Sequence, residues 1–335
     1  MIMIKRAIYI IISIFILASC NYIGSKIDTT PKRAIKIARY DRLQYEYVAT
    51  NSVSALQQMN TEYPQATKLL IEEVLSIGKV EDDQINNRMK DYLSDSTLLT
   101  LMADAEITFK DMTPIERELN RGFKKLKKEL PGIVIPKVYA QFSALNQSIV
   151  VGDSLLGFSI DKYMGTDYPL YKRFYNEDQC RSMCKERIAF DCLVFYLQSQ
   201  YPISVNHKST LLDEMLYKGK IYWIVSNILE YDSFDEGFRF SKRESKWCRE
   251  NKDKMLGEII HREKSYAGDI SLATNFIKQD SLKIILGEDA PPSLYIWAGT
   301  ELIDRYTQLD SEITIDQLIH ASDYKRMLSD INIKF

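Results

Sequence analysis

Histidine is scarce. The 335 residues contain three, His207, His261 and His320. No two of them stand at the spacing that places a pair of ligands on one helix face, which argues against a histidine-based metal enzyme. Glycine (13) and proline (9) are too few for a collagen-like or low-complexity chain. Neither sign of charge dominates. Lys plus Arg number 44 and Asp plus Glu 46, a net charge of -2, so the basic surplus of a dedicated nucleic-acid binder is missing. Beyond the N-terminus no stretch holds 18 uncharged apolar residues in a row, and no second membrane span is expected. No internal repeat is visible. What is present is a hydrophobic content of 45%, a charged content of 27% and 21 tyrosines. Those values belong to a folded globular chain.

The first twenty residues read as an address. Lys5 and Arg6 precede an uncharged apolar run from Ala7 to Ser19. Thirteen helical residues would cover about 20 Å, short of the roughly 30 Å bilayer core. The run therefore reads as a signal peptide rather than a stable span. It ends in Leu17-Ala18-Ser19-Cys20, which resembles the lipobox of bacterial lipoproteins. Residues 1–19 are then a leader, Cys20 the lipid attachment site, 20–30 a tether and 31–335 a single domain. Acyl chains on Cys20 would hold the protein at a membrane, at about 0.8 kcal/mol per buried methylene.

Four further thiols remain, Cys180, Cys184, Cys192 and Cys248. Their spacing provides no paired Cys/His zinc set. A disulfide is open to them in an oxidising envelope, but the favoured reading is buried small hydrophobes.

Hydrophobic periodicity predicts a strand over 34–39, helices through most of 52–130, and a break at Pro131-Gly132. Extended runs at 136–143, 147–151 and 155–160, with turn residues at Asn146 and Gly152-Asp153, predict a small antiparallel meander. Helices are expected again at 177–200, 210–229, 240–262, 272–279, 293–308 and 315–320. Four lysines, Lys124, Lys125, Lys127 and Lys128, share one predicted helix, and read first as a solvated face.

The stretch that bears on chemistry is Asp213-Glu214-Met215-Leu216-Tyr217. It overlays H-E-x-x-H, in which two histidines one helical turn apart hold zinc and the glutamate activates water. Asp213 and Tyr217 occupy the two ligand positions and Glu214 keeps its own. A phenol with pKa near 10 is a poor ligand at neutral pH. No metal or cofactor is expected.

Segments spread along the chain resemble the gliding-motility lipoprotein family GldB. They are Ile37-Ala-Arg-Tyr-Asp41, Tyr63-Pro64, Ile77-Gly78, Pro131 to Phe142, Asp153 to Gly165, Leu211 to Lys220, Trp247 to Asn251, Pro291-Pro292, Trp297, Gly299 and Tyr306. Their order and spacing carry the likeness. The family looks like a divergent branch of the zincin metallopeptidases. The resemblance implies an α+β fold, a mainly helical zincin-like domain with a small antiparallel sheet. It implies a lipid-anchored envelope protein of the Bacteroidota, without catalysis, that binds a protein partner of the gliding or secretion apparatus. Asp213, Glu214 and Tyr217 would be its degenerate zincin positions. The first acidic residue after Cys20 is Asp28, and the lack of an adjacent acidic signal points to a periplasm-facing protein. Two other expectations stand beside this one: a metallopeptidase with non-standard ligands and Glu214 as base, and a periplasmic binder whose tyrosines stack on an envelope polymer.

Overall fold

Alternate residues of three short strands point into two separate cores. Strand β2 (Lys137–Gln141) sends Val138 and Ala140 to one side and Tyr139 to the other. Strand β3 (Ile149–Gly152) divides Ile149 from Val150 in the same way. On β4 (Leu155–Ser159), Leu156 and Phe158 lie on the first side and Leu155 on the second. The period-two pattern of a sheet covered on both faces explains this arrangement. The computed structural model describes residues 34–203, 210–265 and 281–333, and those from Ile35 onward form one compact unit.

The sheet is mixed rather than an antiparallel meander. Its order among the described residues is β1-β2-β4-β3, with β1 (Ala38–Arg39) parallel to β2, β2 parallel to β4, and β4 antiparallel to β3. Only β3 and β4 form the expected hairpin, around Asp153-Ser154 with Ser154 at φ 56°. Strand β2 does not turn back on itself because side chains take over its backbone bonds. Gln44 accepts from Phe142 N at 2.8 Å and donates to Phe142 O at 2.9 Å. Asp161 then accepts from Ser143 N at 2.9 Å and Leu145 N at 2.6 Å. Residues 142–148 are thereby led past β4, which enters between its neighbours.

A similar substitution shortens the first strand from the expected 34–39 to two residues. Asn120 accepts from Ile35 N and donates to Ile35 O, at 2.7 and 2.9 Å, and Glu116 accepts from Ile37 N at 3.0 Å. Those backbone groups are satisfied by a helix face instead of a neighbouring strand.

Helices α1 (Tyr40–Thr50), α2 (Val53–Thr61) and α3 (Pro64–Leu69) cover the Tyr139 face of the sheet. Helix α3 runs on into a wide turn over Leu70–Val74, closed by Leu75 N bonding Leu70 O. Leu70, Ile71 and Val74 are buried there. Helices α4 (Ile85–Leu93) and α5 (Ser96–Thr108) complete this layer. Helix α6 (Thr113–Glu129), with Pro114 in its first turn, belongs with the opposite core.

That second core is built from α8 (Ile188–Gln200), α9 (Leu211–Leu229), α10 (Lys242–Ser265), α12 (Leu294–Leu309), α13 (Ile315–His320) and α14 (Tyr324–Asp330). The single helix expected over 177–200 is broken. A one-turn α7 (Glu177–Cys180), capped by Asn176, is followed by Cys184 in extended geometry before α8 begins. The break lets Arg187 turn inward, where it pairs with Asp191 at 2.6 Å and donates to Gly237 O. A short α11 (Ser281–Leu286) precedes α12. The helix expected at 272–279 lies outside the described residues, as do Cys20, the leader and His207.

The fold is thus α+β and mostly helical, with a small four-stranded mixed sheet between two helical layers. No described helix is long and apolar enough to cross a membrane.

Candidate functional site

Helix α9 carries the three residues at the zincin-like positions, Asp213, Glu214 and Tyr217, and its N-terminus sets what they do. Thr210 is the N-cap. Its hydroxyl accepts from Asp213 N at 3.2 Å, and the Asp213 carboxylate accepts from Thr210 N at 2.9 Å. This reciprocal pair is a capping box, which satisfies two of the amides a helix start leaves open. Asp213 is therefore turned back along its own helix. Glu214 lies in the same first turn, where the helix dipole favours negative charge, and faces Lys218 at 3.6 Å. A second carboxylate, Glu263 of α10, accepts from Leu212 N at 3.1 Å.

Tyr217, one turn on, is buried and donates to Tyr201 O at 2.9 Å. That carbonyl lies at the C-terminal end of α8, where helix carbonyls lack intrahelical partners. Burial, aided by the charge of Glu214, pushes the Tyr217 phenol up to about 12. Burial also raises Tyr295 and Tyr324, which feel the same carboxylates. The phenols around α9 are therefore held in their neutral, hydrogen-donating form. Among the described residues no group of three or more His, Cys, Asp and Glu is placed to hold a metal ion. His320 stacks edge-on against Tyr201 with ring centres 5.3 Å apart, and its Nδ1 lies 2.8 Å from Asp316 O.

Lys220 was visible in the sequence only as part of a matching block. It is 3% exposed and donates to Ile319 O at 2.9 Å and Ala321 O at 2.7 Å, with its ammonium over the Tyr324 ring. It closes the C-terminal end of α13 from the core. Burial pulls its pKa down to about 8. The signal was a lysine among the apolar residues of a helix that is otherwise buried.

Two more buried polar centres escaped sequence reasoning. Asp235 accepts from Trp297 Nε1 and from Arg249, each at 2.7 Å, tying three segments together. Asp191 receives Arg187 and the Tyr163 hydroxyl, the latter at 2.9 Å. Sequence distance hides the Asp235 ties and the Tyr163 bond, whose partners come from different elements, while Arg187 and Asp191 stand only four residues apart. The Trp247–Asn251 spacing has a local meaning: Asn251 Nδ2 donates to Trp247 O at 2.9 Å, one turn back on α10.

Cys180, Cys184, Cys192 and Cys248 are buried free thiols, as the hydrophobe reading expected. Burial raises all four, Cys184 to about 11. The tyrosines are mostly internal ties. Those at 40, 47, 171 and 196 hydrogen-bond Thr67 or backbone carbonyls, and Tyr92 is the one exposed tyrosine among the described residues. A pocket bounded by Asn60, Gln65, Lys68 and Asn86 belongs to the Tyr139 side of the sheet, away from α9.

The profile of the family described as gliding motility protein GldB matches residues 24–334. The chain belongs to that family. It is a gliding-motility-associated protein, and the family's label marks a lipoprotein of the cell envelope. The match spans both helical layers and the sheet between them. No curated protein and no solved structure matches the chain.

Proposed function

We propose that this GldB-family protein is a non-catalytic, lipid-anchored component of the envelope, held by acyl chains on Cys20 and facing the periplasm. It acts by binding a protein partner of the motility or secretion machinery. The observation that carries the reading is the commitment of both ligand-position side chains to backbone. Asp213 closes the cap of α9 and the Tyr217 hydroxyl holds Tyr201 O. In this reading α9 descends from a zincin metal helix whose imidazoles have been replaced by oxygen side chains with structural work.

Metal analysis of the purified protein tests it. Sub-stoichiometric zinc that does not respond to Asp213→Ala is expected. Stoichiometric zinc lost in that variant would overturn the reading. For the anchor, Cys20→Ser is expected to release the protein from membranes, and unchanged membrane association would refute the lipid attachment. Affinity capture from native membranes identifies the partner, and capture of the same protein by Glu214→Gln is expected.

A further inference from the structure

The exposed side of α6 bears a run of cations. Arg117, Arg121, Lys124 and Lys128 are all exposed and follow one another at steps of four, three and four residues. That spacing places them on one helix face. None of the four lies within ion-pair distance of a carboxylate among the described residues. Of the nearby acids, Asp111 accepts from Thr113 N and lies close enough to interact with Arg117, and Glu118 interacts with Arg121. Glu116 binds Lys36 and Ile37 N, Glu230 binds Lys125, and Glu118 and Glu129 are half-buried.

The stripe runs into an apolar tip. Just past the end of α6, Val134 is 54% exposed and Ile135 43%, and Phe195 of α8 is exposed beside Tyr196. The tip is held in place. Lys127 donates to Pro131 O and Ile133 O, each at 2.7 Å, and the Tyr196 hydroxyl donates to Val134 O. Clustered cations beside exposed apolar side chains are the pattern of a surface that rests in a lipid headgroup layer.

The chain enters the described structure on the same helix. Ile35 is hydrogen-bonded through its N and O to Asn120, one turn before Lys124. Fourteen residue steps separate Cys20 from Ala34, and an extended chain of that length spans at most about 48 Å. A bilayer holding Cys20 is therefore within reach of this face.

We infer that the Arg117–Lys128 face of α6, with Val134 and Ile135, docks the folded domain onto an anionic bilayer. The inference takes from the proposed function only the anchor at Cys20. The four native thiols of the domain are buried, so a polarity-sensitive fluorophore can be placed selectively at Val134→Cys in the full lipidated protein. Val53→Cys, exposed on the helices of the opposite sheet face, is the control. The vesicles are phosphatidylcholine with or without about one third phosphatidylglycerol.

The Val134→Cys probe is expected to shift to the blue with anionic vesicles and not with zwitterionic ones. Lys124→Glu with Lys128→Glu, or raised salt, is expected to abolish the shift, and the Val53→Cys probe is expected to stay in water throughout. Vesicle flotation reads the anchor separately. Protein that floats while the Val134→Cys probe stays aqueous on both lipids overturns the docking and leaves the anchor standing. Equal shifts at both positions also overturn it. Protein that does not float overturns the anchor and the docking together.

Discussion

Gly219 of α9 and Gly299 of α12 meet backbone to backbone. A Cβ added at Gly219 would fall 2.2 Å from the Gly299 carbonyl carbon, and one at Gly299 would fall 2.2 Å from Met215 O. The packing of α9 on α12 depends on these two positions having no side chain. On an isolated helix Gly→Ala is favourable by about 1 kcal/mol. Here the added methyl meets main chain that cannot swing aside. Gly299→Ala is therefore expected to destabilise by about 3 kcal/mol, read as a lowered denaturation midpoint. A stabilised variant would show that the helices are farther apart than described.

Lys220 gives the protein a pH signature. Its folded pKa, about 8, lies below the ordinary lysine value of 10.5. Between those values the unfolded chain holds a proton that the folded chain has released, so stability gains with rising pH across roughly 8 to 10.5. Lys220→Met removes this contribution. The stability of the native protein minus that of the variant is expected to rise over that window. A flat difference would show that the ammonium is not desolvated.

Asp161 is fully buried and supports Ser143 N, Ser143 Oγ and Leu145 N. Ala144 and Leu145 both sit in the left-handed region, at φ 53° and 64°. Asp161→Ala leaves buried donors without partners in a segment already held at an unfavourable geometry. A loss of about 2–4 kcal/mol is expected by chemical denaturation, together with faster amide exchange over residues 142–146. Exchange unchanged there would mean that the loop holds itself.

The α9 cap predicts a modest effect. Asp213→Ala removes half of a capping box and is expected to cost about 1 kcal/mol, and Tyr217→Phe a similar amount through the lost bond to Tyr201 O. Thermal unfolding checks both. A loss several times larger on Asp213→Ala would point to a ligand or metal bound at that carboxylate.

Much of the architecture was legible because it is local. Extended runs bounded by turn residues located β2, β3 and β4, and the 315–320 helix stands at its expected bounds. The pairing of the strands was not legible. It is decided by Gln44 and Asp161, which lie 98 and 18 residues from the backbone groups they satisfy. The break before α8 was hidden for a similar reason, since Arg187 leaves the helical pattern to reach Gly237 O in another element. At the candidate site the sequence identified the right helix. It could not show that Asp213 turns back to Thr210, because the same three residues would serve a cap or a ligand set.

The most direct measurement is the zinc content of the native protein, set against peptide hydrolysis by the same preparation. No stoichiometric metal and no turnover are expected, with the same result for Asp213→Ala and Glu214→Gln. One zinc per chain, with hydrolysis abolished by Glu214→Gln, would contradict the non-catalytic reading.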